Sequence, residues 1–203
     1  MTAVHQTKAT IMSIRDLIAT AKLNRRKGNV HSEVLDFPGV LTKPKQVLVC
    51  LPGNLRQLTF VKQFLPTLTE LFKPAEITLL SMPGIKIADI FPRKGFRILT
   101  PTSDQMTWSG LAKKNYLKLL QENKFDLLLD LNLESSYFTS SILLGFPKAV
   151  RIGRGNHLGE PFYNLEIKTK YLRDERNIYR SLLETLSLLK GSRTKTATPD
   201  HSG

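Results

Sequence analysis

The chain has 203 residues, of which 41% are hydrophobic and 23% are charged, so it is long enough for one globular domain with a sizeable core. Thirty Lys and Arg against 17 Asp and Glu give a net charge of +13, which favours polyanionic partners such as nucleic acid, an anionic membrane surface or phosphate-bearing ligands. A general need for solubility explains the same charge and stays open as the alternative. The apolar runs are too short for a transmembrane segment, and the N-terminus lacks a secretory pattern. The single cysteine, Cys50, excludes an internal disulfide and fits a reducing compartment, so we expect a cytoplasmic protein.

The N-terminal segment predicts one amphipathic helix followed by a connector. Residues 8–24 carry apolar side chains at helical spacing, and Gly28 is a plausible end of the helix after a basic cluster. The apolar positions are Ile11, Ile14, Leu17, Ile18 and Ala21. We interpret the basic cluster as a complement to the helix dipole, with peripheral contact at the inner membrane face or docking to a partner as the alternative. Residues 29–43 contain Pro38 and Gly39 and predict an extended connector.

From residue 44 the pattern alternates between strands and helices. Apolar, partly β-branched runs predict strands at 46–51, 76–80, 95–100, 125–131, 149–152 and 163–167. Helical periodicity predicts a helix capped by Asn54 that Pro66 kinks or breaks, and further helices at 108–121, 135–145 and 174–189. The polar composition of residues 191–203 predicts a disordered tail.

This alternation predicts an α/β fold in three layers, a Rossmann-like open and mostly parallel sheet preceded by an N-terminal helix. We divide the chain into residues 1–43 (helix and connector), 44–190 (the α/β domain) and 191–203 (the tail). Ligands of such sheets bind outside the carboxyl ends of the strands. The candidate loops are therefore residues 52–56, 81–86, 101–104, 132–136 and 153–159.

Two of these loops follow the first and fourth strands. Gly53 and Asn54 open the first turn, where glycine lets backbone approach a ligand and the following helix offers free N–H groups to an anion. A plain turn with a helix cap explains both residues equally well. Asp130, Asn132 and Ser135 follow the clearest strand and could bind hydroxyl groups of a sugar, with Ser135 as a helix cap and Asn132 as a turn residue in the alternative.

The loop after the fifth strand has the strongest pattern of a site. Arg151, Arg154, Asn156 and His157 stand among three glycines, and arginine forks match a phosphate or carboxylate bidentately. We therefore predict an anion site, such as one for a phosphosugar or a nucleotide, with a mobile basic loop as the alternative. No catalytic residue is assigned, because a lone loop histidine is a weak signal. No histidine or cysteine spacing predicts a metal site, no motif predicts a cofactor, and no motif predicts sequence-specific nucleic-acid binding.

The order of these pieces resembles the N-terminal half of the lipopolysaccharide heptosyltransferase family, glycosyltransferase family 9. The resemblance covers about residues 45–189 and rests on short motifs. They are Leu65-Pro66 in the first helix, Phe125-Asp126-Leu127-Leu128-Leu129-Asp130-Leu131, Ser135-Ser136 after it, Arg151-Ile152-Gly153, and Phe162-Tyr163 before the closing helix. The resemblance implies a GT-B-type N-terminal domain, and it implies that this chain holds only that half of the two-domain enzyme.

One departure from the family affects the predicted activity. The resemblance implies a Gly-Asp pair in the first turn, whose aspartate serves as the general base, whereas this chain has Gly53-Asn54. We therefore expect a non-catalytic, glycosyltransferase-like domain that binds an anionic ligand, a partner chain or a second copy of itself. The alternative is the active half of a split glycosyltransferase in cell-envelope polysaccharide synthesis, and a weaker one is a basic nucleic-acid-associated protein.

Overall fold

The structure, a computed structural model, describes residues 13–28, 37–91, 95–154 and 162–191. In that part of the chain the helices are α1 (Ile14–Lys27), α2 (Phe37–Thr42), α3 (Leu55–Phe72), α4 (Lys114–Gln121), α5 (Tyr137–Leu143) and α6 (Glu175–Gly191). The strands are β1 (Gln46–Cys50), β2 (Glu76–Leu80), β3 (Arg97–Leu99), β4 (Leu127–Asp130), β5 (Val150–Arg154) and β6 (Leu165–Ile167). A short 3₁₀ helix spans Ser103–Gln105.

The six strands form one sheet with the order β3-β2-β1-β4-β5-β6, and every pair of neighbours is parallel. The predicted α/β, Rossmann-like fold is therefore confirmed. The chain runs from β1 outward to β2 and β3, and then returns to place β4 on the other side of β1. The strand order therefore reverses between β1 and β4. A ligand crevice in an open parallel sheet lies at such a switch point, outside the carboxyl ends of the strands.

Two apolar layers cover the sheet, because alternate residues of each strand face opposite sides. Val47 and Val49 of β1 join a core with α3 and α6, and Leu48 and Cys50 join the opposite core with α1, α4 and α5. The strands β1 and β4 are buried on both faces, which explains their unbroken apolar runs. No helix in the described segments is both long and apolar enough to cross a bilayer.

The N-terminal segment differs from its prediction in two ways. α1 packs through Ala19 and Leu23, whereas Ile14 is 73% exposed and Leu17 is 53% exposed, so the predicted apolar face was wrong in part. The helix does end at Gly28, as predicted. Residues 37–42 form helix α2 and not an extended connector, since a proline fits the first turn of a helix, where its missing N–H has no partner to lose.

Three other helix predictions need correction. α3 runs unbroken through Pro66, so the predicted break is wrong, and a long buried face holds the helix together around the missing hydrogen bond. The predicted helix at 108–121 begins only at Lys114, because residues 107–110 form a turn closed by the Gly110 N–H and the Thr107 carbonyl. Helical spacing predicts that Leu119 and Leu189 face the sheet, but they are 52% and 38% exposed.

Candidate functional site

The first turn of the carboxyl edge places Gly53 and Asn54 between β1 and α3. Asn54 is the N-cap of α3, and its Oδ1 accepts a hydrogen bond from the Arg56 backbone N–H at 2.9 Å. This amide therefore satisfies one of the donors that a helix start leaves free. A Cβ on Gly53 would lie 3.3 Å from Cγ of Met82, so the glycine lets the β2 loop pack against this turn. Both residues remain exposed at the edge.

Asp130, the last residue of β4, lies directly beside this turn but faces inward. It is 3% exposed, and it accepts hydrogen bonds from the Asn132 N–H at 3.0 Å, from Asn132 Nδ2 at 2.7 Å and from the Tyr163 hydroxyl at 2.7 Å. Burial raises the pKa of the Asp130 carboxyl, and the hydrogen bonds from Asn132 and Tyr163 oppose that rise. Both oxygens of Asp130 are thus engaged within the protein.

Gly153 and Tyr163 make the contact with Asp130 possible. A Cβ on Gly153 would lie 2.3 Å from Cε1 and 2.5 Å from Cζ of Tyr163, so the ring lies directly on the glycine. The ring crosses β5 at this point, and its hydroxyl reaches the end of β4. The glycine of the Arg-Ile-Gly motif therefore makes room for a tyrosine of the same chain. Burial, then the nearby Asp130, raises the pKa of the Tyr163 hydroxyl well above its usual range, which keeps it a donor.

Arg151 and Arg154, three residues apart in the predicted site, lie on opposite faces of β5. Arg151 is 3% exposed and donates from Nε to Oδ1 of Asn164 at 3.2 Å, and its backbone N–H donates to the same oxygen at 2.9 Å. It therefore joins β5 to the segment that precedes β6. Arg154 is only half-buried, and its Nη1 donates to the Leu133 carbonyl at 3.4 Å, so its guanidinium lies beside the loop that follows β4.

The loop after β4 is closed by Ser136 and not by Ser135. Ser136 is the N-cap of α5, where its Oγ accepts from the Thr139 N–H at 3.2 Å, so the cap reading of Ser135 was wrong by one residue. Ser135 and its neighbour Glu134 are exposed. Asn132 is 7% exposed, and its Nδ2 also reaches Oγ1 of Thr139 at 3.3 Å. The structure brings Asp130 and Asn132 together as a buried, hydrogen-bonded pair, and the predicted binding of sugar hydroxyls stays a prediction.

Sequence reasoning missed a polar cluster at the start of α6, on the same edge of the sheet. Glu175 forms an ion pair with Arg56 at 3.2 Å and accepts from Nε2 of the buried Gln57 at 2.9 Å. The Tyr179 hydroxyl donates to the Leu131 carbonyl at 3.0 Å. Only the helical spacing of Glu175 and Tyr179 could have placed them together at the sequence level, because their partners lie 118 and 48 residues away.

Other predicted features lie outside this group or outside the described residues. Asn156 and His157 fall in residues 155–161, which the structure does not describe, so their role stays a prediction. The apolar run around Cys50 predicts a buried thiol, and Cys50 is buried, which raises the pKa of its thiol. Among the residues that the structure describes, no three His, Cys, Asp or Glu side chains cluster as metal ligands would.

Comparison with known proteins supports the fold. No family model matches the sequence, and no curated protein matches it. In structure, the chain is similar to the glycosyl transferase family 9 protein from Veillonella parvula, with a TM-score of 0.54 and 16% identity over 71% of this chain and 42% of that one. E. coli heptosyltransferase WaaC with ADP is also similar, at a TM-score of 0.48 and 15% identity over 76% of this chain and 49% of that one. The predicted resemblance is thus confirmed for the fold: the fold of this chain is similar to part of the family 9 glycosyl transferase structure, and the chain spans less than half of that protein's length.

Proposed function

We propose that this chain is a glycosyltransferase-like domain that binds an anionic ligand at the carboxyl edge of its sheet and does not itself catalyse glycosyl transfer. The proposal rests on the hydrogen bonds of Asn54 and Asp130, the two polar residues at the switch point. Asn54 caps α3 with its amide oxygen, and Asp130 is buried with both oxygens hydrogen-bonded.

Neither group suits a general base. A base must reach the hydroxyl proton that it removes, and its pKa must let it accept that proton near neutral pH. An amide such as that of Asn54 does not accept a proton there. The carboxylate of Asp130 can reach a substrate only by giving up the hydrogen bonds of Asn132 and Tyr163, at a cost of about 1–3 kcal/mol for each buried group left unpaired.

Arg154 is the residue that we propose for the anion. Its half-buried guanidinium lies at the end of β5, beside the Leu133 carbonyl in the loop after β4, at the carboxyl edge of the sheet. Partial burial strengthens an arginine–phosphate pair, and the planar fork offers two parallel donors. Arg151 is hydrogen-bonded to Asn164 and so joins β5 to the segment before β6. We therefore assign Arg151 a structural role and not a ligand-binding one.

Calorimetric titration of the purified chain with ADP and with glucose 1-phosphate tests the proposal. One charge-assisted hydrogen bond contributes about 1.5–3 kcal/mol, so Arg154→Gln should weaken binding by about 10–100-fold. The matched control is Lys45→Gln, which removes an exposed charge at the opposite, amino edge of the sheet and should change affinity less than about twofold. Equal affinities in wild type and Arg154→Gln would exclude this arginine.

The second candidate is the active half of a split glycosyltransferase. It is favoured by Glu134, an exposed carboxylate in the loop after β4 that could act as a base once a partner chain or a second copy supplies the donor site. Turnover of an ADP-sugar that appears only on mixing with such a partner, and disappears in Glu134→Gln, would establish this candidate in place of the first.

The proposal also includes where the protein is located in the cell and how it would bind nucleic acid. We place the protein in the cytoplasm, because its lone cysteine is a buried free thiol, with the basic surface available for peripheral contact with an anionic membrane. Nucleic-acid association would rest on the +13 charge alone, so it should be independent of sequence and should be lost steeply with added salt.

A further inference from the structure

A basic groove lies away from the carboxyl edge, between the C-terminal end of α1 and the helices α4 and α5. Its volume is about 380 Å³. The lining residues are Arg26, Lys114, Leu117, Lys118, Gln121, Ser141, Leu144, Gly145 and Pro147. Three of them are cationic and none is acidic, so the groove carries a local positive potential that favours an anion.

Arg26 has a buried donor that a ligand in the groove could pair. Its Nη1 is buried, yet it has no hydrogen-bond partner among the described residues. A buried donor of a charged group that is left unpaired is costly, and native proteins satisfy nearly all such groups. The neighbouring Arg25 also lies in the last turn of α1, but it is exposed and does not line the groove. Interaction with the helix dipole applies to both arginines, but it gives the buried Nη1 of Arg26 no hydrogen-bond acceptor.

Lys114 and Lys118 add two further charges on one side of the groove. They lie four residues apart on α4, so they are neighbours on its surface and repel each other. Both are exposed, and neither has an ion pair in the described part of the chain. An anion between them and Arg26 would replace this repulsion with attraction and would give the Nη1 donor an acceptor.

Part of the wall of the groove is apolar. Leu117, Leu144 and Pro147 line it, and a second hollow of about 480 Å³ lies next to it, with Gln121, Gly145 and Pro147 lining both. The carboxylate of that second hollow, Asp126, accepts hydrogen bonds from two backbone N–H groups, those of Lys45 at 2.8 Å and Gln46 at 3.0 Å. A ligand with an anionic head and an apolar tail would match both halves of the lining.

We propose that this groove binds the phosphate group of an amphiphilic phosphate ester, with Arg26, Lys114 and Lys118 holding the phosphate and the apolar wall holding the adjoining alkyl chain. The phosphate oxygens accept hydrogen bonds from Arg26 and the two lysines. Each buried methylene adds about 0.8 kcal/mol, which is about a fourfold gain in affinity. The site is separate from Arg154 and the switch point, so it does not depend on the function proposed for that edge.

Soluble probes test this proposal on the full chain. We would titrate octyl phosphate, inorganic phosphate and octyl glucoside, each below its micelle concentration, by calorimetry at fixed ionic strength. We expect octyl phosphate to bind at least about tenfold more tightly than either of the other two. Inorganic phosphate lacks the alkyl chain, and octyl glucoside lacks the anionic group. Equal binding of octyl phosphate and inorganic phosphate, or of octyl phosphate and octyl glucoside, would overturn it.

Variants separate the groove from the general basic charge. Arg26→Gln and Lys118→Gln should each weaken octyl phosphate binding by about tenfold, and the matched control Arg25→Gln should change it less than about twofold. We expect Arg26→Gln to keep the thermal unfolding midpoint of the wild type, since Nη1 has no described partner to lose. If Arg25→Gln weakens binding as much as Arg26→Gln does, the groove is not the site.

Vesicles containing phosphatidic acid distinguish a lipid headgroup from a free phosphate ester. Vesicle binding that is lost in Arg26→Gln together with octyl phosphate binding supports the groove and identifies a lipid as its source. Octyl phosphate binding without vesicle binding also supports the groove and indicates a soluble ester. Vesicle binding that Arg26→Gln leaves unchanged, with no octyl phosphate binding, would overturn the proposal.

Discussion

Replacing Gly153 by alanine should be among the most destabilising single changes in this fold. The added Cβ would lie 2.3 Å from Cε1, 2.5 Å from Cζ and 2.8 Å from Cδ1 of Tyr163, whereas carbon atoms pack at about 3.5–4.0 Å. The ring must therefore move. Its hydroxyl then loses its 2.7 Å hydrogen bond to Asp130, and that carboxylate keeps only the two hydrogen bonds of Asn132.

Two costs contribute to the loss in the free energy of unfolding. Overpacking of this kind costs about 1–3 kcal/mol. A buried acceptor deprived of a donor costs about another 1–3 kcal/mol. The free energy of unfolding should thus fall by about 2–6 kcal/mol, which is a large part of the roughly 5–15 kcal/mol that a domain of this kind has.

A double-mutant cycle measured by urea unfolding isolates the contact. In the Tyr163→Ala background no ring meets the new Cβ, so Gly153→Ala should cost about 0.5 kcal/mol or less, with any gain coming from a stiffer unfolded chain. The coupling energy between the two positions should therefore exceed about 2 kcal/mol. An equal cost of Gly153→Ala in both backgrounds would refute the steric reasoning.

Three further predictions concern the same edge. Asn54→Ala should lower the free energy of unfolding by about 1 kcal/mol and Asn54→Asp should not, because only the alanine removes the cap of α3; equal losses in urea unfolding would contradict the cap. Ser136→Ala should cost about 1 kcal/mol and the exposed Ser135→Ala about zero, and a reversed order would restore the predicted cap. Burial raises the pKa of Asp130 above its usual 3.8, so its contribution to stability is full below that pH and is lost as the pH rises through the folded-state pKa. Relative to Asp130→Asn, the wild type should therefore gain stability from pH 7 towards pH 4, and a constant difference would contradict the shift.

The sheet could be predicted from the sequence because each strand carries its own signal. Strand β2 lies at the predicted residues, and β1 and β4 fall within theirs, since an apolar run that is buried on both faces is a local pattern. The start of α4 was not predicted correctly from the sequence. The helical spacing predicted a helix from residue 108, but the turn at Gly110, with φ of 84°, and the bridge between Met106 and Ala112 delay its start to Lys114.

The predicted site was harder, because the role of a polar residue depends on contacts that are distant along the chain. Asp130 has a hydroxyl partner 33 residues away, and Arg151 has an amide partner 13 residues away. The sequence placed Arg151, Gly153 and Arg154 together as one anion site. The alternation of side chains along β5 instead puts Arg154 on the opposite face from the other two, and a count of two residues per strand period could have indicated this.

The most direct test of the proposed function is sugar-nucleotide turnover by the purified wild-type chain, followed by release of ADP from an ADP-sugar in the presence of a lipopolysaccharide-core acceptor. We predict no ADP release above the rate without protein, since Asn54 caps a helix and Asp130 is buried and hydrogen-bonded. ADP release that depends on the acceptor and is abolished by Asp130→Asn in a variant that still folds would contradict that prediction.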